Sequence, residues 1–163
     1  TAVAVASCGS HLWCCCAGDS RAVAALRNGG VYRMSVDHTC NVPSEIERIE
    51  AAGGHISWGS LGGLPMTRGL GNFHLQAEGF ACLPQVSSIP RWEVEFIVVA
   101  SDGLWDVLSD ENCCALVRSW GSAGIAAAAD KLAAHARSLG SNDDIAAIVA
   151  CFPFEGAGGE AGA

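Results

Sequence analysis

The run Phe96–Ala100 constrains the fold of this chain most, because it consists of five consecutive apolar residues between polar neighbours. A continuous apolar run of this length is typical of a β-strand that is buried on both faces. Such a strand needs a layer of structure on each side of its sheet. We therefore expect a layered domain with this strand near its centre.

Helical patterns follow this strand, and a second core strand comes after them. Ser109 is a candidate N-cap for one helix, and apolar residues recur with helical spacing over Ile125–Leu139. Gly140 is placed to end that helix. Ile145–Phe152 is predicted as the final core strand. Residues 153–163 consist mainly of Gly, Ala and Glu, and we expect a flexible tail there.

The first part of the chain predicts two hairpins. Ala2–Ser7 and His11–Ala17 are strand-like runs separated by a short turn. Ala22–Arg27 and Val31–Ser35 are two more, and Asn28-Gly29-Gly30 between them is a strong hairpin signal. These strands and the later helices predict an α+β fold.

The centre of the chain is less regular. Ser44 and Glu47 have the spacing of a capping box, which predicts a helix that ends at Gly53-Gly54. His55–Trp58 is predicted as a short strand, and Met66–Pro90 carries no assignable pattern. The glutamates of the helix are predicted to form a solvated face: Glu45, Glu47 and Glu50.

Composition excludes several classes of protein. Half of the residues are apolar and 16% are charged, which excludes a disordered chain. The mean hydropathy is +0.30, yet the longest strongly apolar run is far shorter than the about 20 residues of a membrane span. A net charge of −8 argues against nucleic-acid binding, which needs a basic surface. We therefore expect neither a nucleic-acid nor a membrane partner.

The nine cysteines are odd in number and occur as neighbours rather than as C-x-x-C pairs. This pattern argues against a zinc site and against a disulfide framework. Cys14–Cys16 lie inside a strand-like run, where a thiol behaves as a small apolar group. The sequence therefore predicts reduced, buried thiols in an intracellular protein, with the cytoplasm as the expected location and the nucleus as an open alternative.

Acidic residues follow both predicted core strands. Asp102 comes directly after the first of them and Asp106 four residues later, while Asp143 precedes the second. If the two strands are neighbours, Asp102 and Asp143 meet at one end of the sheet. Two carboxylates about 5 Å apart repel by roughly 3 kcal/mol, and a hard cation such as Mg²⁺ or Mn²⁺ between them removes that cost. The alternative is that these residues form Asx turns or helix caps.

A third acidic position is Asp19, at the end of another predicted strand. The alternative interpretation is an Asx turn with an exposed Asp19–Arg21 ion pair, which would contribute little to stability. His38, which follows Asp37, is expected to hold a loop rather than to transfer a proton.

Six motifs occur in order along the chain: Gly18-Asp19-Ser20-Arg21-Ala22; Asp37-His38; Glu47-Arg48-Ile49 with Gly53-Gly54; Thr67-Arg68-Gly69-Leu70-Gly71; Ala100-Ser101-Asp102-Gly103-Leu104-Trp105-Asp106; and Gly140-Ser141-Asn142-Asp143. Their order and spacing resemble the metal-dependent protein serine/threonine phosphatases of the type 2C family. Each motif is weak alone, but six in order make the resemblance specific. It extends from Thr1 to about Phe152, so residues 1–152 are assigned to a C-terminal portion of such a domain and residues 153–163 to the tail.

The resemblance implies a four-layer α-β-β-α sandwich of two antiparallel sheets flanked by helices, with its N-terminal part absent from these residues. It also implies that a water between two Mg²⁺ or Mn²⁺ ions attacks a phosphoserine or phosphothreonine monoester of a protein substrate. Asp102 and Asp143 would be the catalytic residues that hold the paired ions. Asp19 and Asp106, with Asp102, would hold a third ion.

The resemblance also implies functional roles for two further residues, Arg68 and Trp58. Arg68 would contact the substrate, after the strand that lines the site. Trp58 would lie in a flap that selects substrates or binds a regulatory protein. The alternative for Trp58 is a residue that covers the edge of the core.

The chain departs from the family pattern in ways that keep a second function open. The family's phosphate-binding Arg and its Asp-Gly-His-Gly segment do not occur in these 163 residues. Asn72 and Asp144 stand where the family usually has Asp and Asn, and Pro65 interrupts a strand. The alternative to an enzyme is therefore a pseudophosphatase that acts as a scaffold or regulatory module. Thr1 already lies in a strand-like run, so we expect residues upstream of it. As a separate expectation, we expect the protein to be a monomer.

Overall fold

Two antiparallel sheets form the body of the structure, a computed structural model that describes residues 1–152. The first sheet has the strand order β1-β2-β5, with β1 at Ala2–Cys8, β2 at His11–Ala17 and β5 at Gln85–Pro90. The predicted first hairpin is confirmed, since β1 and β2 pair from Ala2↔Ala17 to Cys8↔His11. The predicted tail, residues 153–163, lies outside the described residues.

The second sheet has the strand order β4-β3-β6-β7. Its strands are β3 (Arg21–Leu26), β4 (Val31–Arg33), β6 (Val94–Ala100) and β7 (Ala147–Cys151). β6 lies between β3 and β7, and five of its seven residues are buried while the other two are partly buried. The prediction of a central strand buried on both faces is confirmed. So is the expectation that the two core strands are neighbours, because β6 pairs with β7.

The helices are α1 (Pro43–Ala51), α2 (Asp102–Trp105), α3 (Asp110–Ser119), α4 (Gly121–Gly124) and α5 (Ala128–Ser138). Short 3₁₀ helices span Phe73–Glu78, Arg91–Glu93 and Ile125–Ala127. Ser109 caps α3 as predicted, and its hydroxyl accepts a hydrogen bond from Asn112 N–H. None of the helices within residues 1–152 has the length and apolar character that a membrane span requires.

One core lies between the two sheets and another between the second sheet and the helices. On β3, Ala22 and Ala24 face the first sheet, whereas Val23 and Ala25 face the helices. This alternation is the period of two that a strand imposes on its side chains. Burying a Val or Leu side chain fully contributes about 1.5–3 kcal/mol, so both cores hold β3 and β6 firmly in place.

The helical layer covers the outer face of the second sheet, where α2, α3 and α5 supply Leu104, Val117 and Leu132. The outer face of the first sheet has no helix against it within the described residues. Trp13 and Val86 on that face are 46% and 58% exposed. The predicted α+β fold of two antiparallel sheets with flanking helices is therefore confirmed, as a partial domain with one outer layer in residues 1–152.

Two local predictions in the centre of the chain are wrong. α1 begins at Pro43, and its N-cap is Val42, with no side-chain capping bond, so Ser44 is not the cap. Pro suits the first helical position because its fixed φ matches the helix and its missing N–H needs no partner there. His55–Trp58 is not a strand, because Trp58 has a φ of +53° and turns the chain instead.

Candidate metal centre

Antiparallel pairing brings Asp19 and Asp102 to the same end of the second sheet. Arg21 at the start of β3 pairs with Ala100 at the end of β6. Asp19 stands two residues before Arg21, and Asp102 two residues after Ala100. The turn before β3 and the turn after β6 therefore lie side by side, and α2 carries the chain on to Asp106 at that end.

Asp143 reaches the same end through the pairing of β6 with β7. Ser101 ties the two segments together: its hydroxyl donates to Asp144 O and accepts from Ala146 N–H, both at 3.0 Å. At Gly103 a Cβ atom would lie 3.3 Å from the Cβ of Asp143. Asp102 and Asp143 are thus brought to one end of the sheet, as the sequence predicted.

Three of the four aspartates line one cavity of about 190 Å³. Its wall contains Asp19, Asp102 and Asp106, together with Arg21 and Trp105. Burial raises the pKa of the Asp19 carboxyl, and the charge of Asp102 raises it further. Burial also raises the pKa of Asp106, with additional contributions from the charges of Asp102 and Asp143. The charge of Asp102 therefore acts on both Asp19 and Asp106, and the charge of Asp143 acts on Asp106. A cation among these carboxylates would relieve their repulsion.

The donor chemistry of this cleft suits a hard divalent cation, because Mg²⁺ and Mn²⁺ prefer carboxylate and water oxygens. Within residues 1–152, however, no three Asp, Glu, His or Cys side chains converge into a group that could hold a metal ion. Mg²⁺ often keeps several waters and uses only one or two protein carboxylates. The aspartates thus fit a metal as part of its coordination shell and not as a complete set.

The wall of the cleft contains one arginine whose contacts the sequence did not predict. Arg21 donates to both carboxylate oxygens of Asp37, with Nε–Oδ1 at 3.1 Å, and to Asp110 Oδ1 at 2.7 Å. Its guanidinium carbon lies 5.1 Å from the centroid of the Trp105 ring. The suggested Asp19–Arg21 pair is therefore wrong, since Asp37 and Asp110 occupy the guanidinium. Asp110 is 89 residues away in the sequence, so no local pattern could have indicated this contact.

A protein phosphatase 2C family model matches residues 1–145. The chain belongs to the protein phosphatase 2C family. Among curated relatives, "Probable protein phosphatase 2C 7" of Oryza sativa subsp. japonica is 40% identical over 149 residues, which are 88% of this chain and 38% of that protein. "Probable protein phosphatase 2C 76" of Arabidopsis thaliana is 40% identical over 157 residues, 93% of this chain and 36% of that protein. The chain thus spans less than two fifths of the length of these relatives.

Solved structures share the fold of this phosphatase 2C chain. A C. elegans sex-determining protein superposes with a TM-score of 0.78 at 22% identity, covering 87% of this chain and 37% of that one. A serine-threonine phosphatase 2C from Toxoplasma gondii superposes with a TM-score of 0.76 at 22% identity, covering 93% and 57%. At these identities the match establishes the two-sheet architecture.

Arg68 of this phosphatase 2C chain does not line the acidic cavity. Its guanidinium pairs with both oxygens of Glu45 and donates to Leu83 O at 3.0 Å. Glu45 is itself 3% exposed, so its prediction as part of a solvated helix face is wrong. Arg68 and Glu45 form a salt bridge, so the Arg68 guanidinium faces a carboxylate instead of an open substrate site.

Glu45 is ionised in this environment. Burial by itself raises the pKa of its carboxyl, but hydrogen bonds from Arg68, Arg48 and Thr67 outweigh that effect and hold the pKa well below its usual range. The Glu45-x-x-Arg48 spacing was the only sequence signal for this cluster, because residues three apart on a helix can pair.

Trp58 is fully exposed, in a turn next to the acidic cavity. A Cβ atom at Gly59 would lie 3.8 Å from Asn41 Oδ1, and Asn41 lines that cavity. The interpretation of Trp58 as a residue that covers the core edge is therefore wrong. His38, by contrast, is buried against the Gly18 peptide, as predicted for a residue that holds a loop.

The cysteines of this chain are all free thiols, and five are buried: Cys14, Cys16, Cys40, Cys113 and Cys114. Burial raises the pKa of Cys14 and of Cys113 to about 12. These two thiols are therefore neutral at physiological pH and unsuited to nucleophilic attack. The predicted burial is observed for these five thiols, while Cys8, Cys15, Cys82 and Cys151 are exposed.

Proposed function

We propose that the protein containing this chain hydrolyses phosphoserine and phosphothreonine monoesters of proteins with the help of Mg²⁺ or Mn²⁺. The observation that carries the proposal is the convergence of Asp19, Asp102 and Asp106 on one cavity, with Asp143 at the same end of the sheet. Membership of the phosphatase 2C family supports the reaction class, because the printed names of the relatives describe protein phosphatases.

Each aspartate has a distinct part in this proposal. Asp102 and Asp143 would hold a pair of ions, and Asp19 and Asp106 would hold a third ion together with Asp102. When bound, the ions would supply an activated water near neutral pH and neutralise the phosphoryl oxygens. Carboxylates alone would repel a phosphate dianion, so substrate binding in this cleft depends on the cations.

The arginines near the cleft are not available to bind the phosphate in place of the cations. Arg21 is occupied by Asp37 and Asp110, and its side chain is 11% exposed. Arg68 is occupied by Glu45. The side chains of this segment therefore provide negative charge to the site, and positive charge for the phosphate must come from bound ions or from groups outside residues 1–152.

The test is hydrolysis of a phosphothreonine peptide by the full-length protein in Mn²⁺. We expect Asp102→Asn and Asp143→Asn each to reduce kcat/KM at least about a hundredfold, since each removes a charge that positions an ion. Glu47→Gln, on the exposed face of α1, is the matched control and should keep full activity. Hydrolysis that survives both aspartate substitutions, or that persists in excess EDTA, would refute the proposal.

A scaffold or regulatory role without catalysis is the alternative, and the absence of a three-carboxylate group within residues 1–152 favours it. The exposed Trp58 would serve as a contact for a regulatory protein in either case. A full-length protein that folds, binds no Mn²⁺ and hydrolyses no phosphopeptide would contradict the enzyme proposal and favour this alternative.

A further inference from the structure

We infer that Glu45 is a positioning residue that holds the Gly18–Asp19 turn in place through Thr67 and His38. Glu45 itself does not reach the acidic cleft. The inference rests on the proposed function for its catalytic consequence, but its structural part can be tested without any assay of activity.

The first step is the anchoring of α1 to the segment that contains Thr67. Glu45 Oε2 accepts from Thr67 Oγ1 at 2.7 Å and from Arg48 Nη2 at 2.7 Å, and Arg68 donates to it as well. Thr67 is completely buried. A buried carboxylate that satisfies two guanidinium groups and a hydroxyl has little freedom to move, because any departure leaves a charge unpaired.

The second link is the hydrogen bonding between Thr67 and His38. The Thr67 N–H donates to the His38 carbonyl oxygen at 2.8 Å, and the Thr67 hydroxyl lies 3.2 Å from the same oxygen. Thr39, the next residue, forms an isolated bridge with Met66. The loop after β4 is therefore aligned on the segment that Glu45 holds.

The third step leads from His38 to the cleft. The His38 N–H donates to Gly18 O at 2.9 Å, and the Gly18 N–H donates to His38 Nδ1 at 3.3 Å. His38 is 3% exposed, so water cannot replace these bonds easily. Gly18 has a φ of +121°, and Asp19 follows it directly. His38 thus binds both backbone polar groups of Gly18, the residue that directly precedes Asp19.

The unbroken series of hydrogen bonds from Glu45 to Gly18 distinguishes Glu45 from a residue that only stabilises the fold. Each link is a hydrogen bond to a buried group, and no link passes through the core strands. Loss of the Glu45 charge should therefore loosen Thr67, His38 and Gly18 in particular. A displaced ligand has a large effect on a metal site, since small errors in position are costly there.

The structural test is amide hydrogen exchange, measured by NMR on the 163-residue chain without metal. We expect Glu45→Gln to accelerate exchange of the Thr67, His38 and Gly18 amides by about tenfold, the effect of losing one hydrogen bond to a charged group. The amides at the centre of β6 should change much less. Glu47→Gln is the matched control on the same helix and should leave all of these amides unchanged.

Two results would overturn the inference. One is acceleration at Thr67 with no change at His38 and Gly18, because the coupling then ends at Thr67. The other is equal acceleration of every amide, including those of β6, because Glu45 then only stabilises the fold. If Glu45→Gln does not fold, Thr67→Val serves instead, since it removes one hydroxyl and keeps both arginine contacts of Glu45. It should accelerate His38 and Gly18 exchange by a smaller factor, and no change at either amide would contradict the inference.

The catalytic consequence is tested in the full-length protein by a double-mutant cycle. Glu45→Gln should raise the Mn²⁺ concentration for half-maximal activity about tenfold and change kcat at saturating Mn²⁺ little. In an Asp19→Asn background it should add no further change. If the exchange results hold but the full-length protein lacks Mn²⁺-dependent activity, the proposed function fails and the positioning link remains. If activity is present and the two substitutions are additive, the positioning role fails.

Discussion

Single residues decide how closely the acidic segments approach each other, and Gly103 is the clearest case. A Cβ atom there would lie 2.8 Å from the carbonyl oxygen of Asp144, a distance that real Cβ atoms do not tolerate. Ser141 Oγ also donates to Gly103 O at 2.6 Å. The packing of α2 against the loop that contains Asp143 and Asp144 therefore requires glycine for its small size.

This close approach makes a prediction for Gly103→Ala. The new methyl group must displace the loop that contains Asp143, so we expect a loss of about 1–3 kcal/mol in the free energy of unfolding and weaker Mn²⁺ binding. Urea unfolding and calorimetric titration with Mn²⁺ measure the two effects. Gly69→Ala is the control, because its nearest contact is the edge of the Phe80 ring at 3.3 Å. Equal effects at the two positions would show that the loop contact is unimportant.

At the scale of elements, charged contacts join helices to strands beside the cleft. Asp110 in the first turn of α3 is 6% exposed and accepts from Arg21 on β3 and Arg33 on β4, both at 2.7 Å. Burial alone raises the pKa of Asp110, but the hydrogen bonds from Arg33 and Arg21 outweigh it and lower the pKa. One carboxylate thus links a helix to two strands.

This link predicts a dependence of stability on pH. A carboxyl whose pKa is lower in the folded state stabilises the fold above the unfolded pKa of about 3.9, and that stabilisation is lost as the pH falls through the folded value. At pH 7 we expect Asp110→Asn to reduce the free energy of unfolding by about 2 kcal/mol, because it breaks the largely buried ion pair with Arg21. The ion pair with Arg33 contributes less, since the Arg33 side chain is 45% exposed and solvent screens its attraction to Asp110.

The difference between wild type and Asp110→Asn should shrink as the pH falls below about 3.9. Urea denaturation at pH 7, 5 and 3 measures it. Glu111→Gln, at the next position of α3 and exposed, should behave as the wild type at each pH. A constant difference between Asp110→Asn and wild type across this range would mean that the carboxyl does not titrate as argued.

At the scale of the whole molecule, the described residues bring Asp19, Asp102 and Asp106 together on one cavity and place no helix against the outer face of the first sheet. The chain carries a net charge of −8 and brings its aspartates together without a three-carboxylate metal group in residues 1–152. The chain spans 38% and 36% of the two curated relatives described above. Hydrolysis of phosphoproteins is therefore proposed for the whole protein and not for this chain alone.

We accordingly expect the 163-residue chain alone to show no Mn²⁺-dependent hydrolysis of a phosphothreonine peptide. The physical reason is that the side chains within residues 1–152 supply an incomplete coordination shell, and that Arg21 and Arg68 are both occupied by carboxylates. Circular dichroism and tryptophan fluorescence establish that the chain tested is folded, and the full-length protein assayed in parallel serves as the positive control. Robust turnover by the chain alone would show that the essential groups have been misplaced.

Local pattern was sufficient wherever one face or one turn decides the structure. The strand from Phe96 to Ala100, the first hairpin and the Ser109 cap follow from apolar runs and turn residues, and the pairing that joins Asp102 and Asp143 was expected from the position of each beside a core strand. Pattern failed at Ser44 and at His55–Trp58, where a proline and a positive φ decided the course of the backbone.

The sequence by itself determined the family, the first hairpin and the position of the aspartates beside the two core strands, because these depend on motifs of residues close together in the chain. Only the tertiary structure decided which charges pair. Glu45 with Arg68, and Arg21 with Asp110, are separated by 23 and 89 residues, and their attraction acts only after folding has excluded water and brought them together. The partner of a buried charge is a property of the folded molecule, and no local pattern contains it.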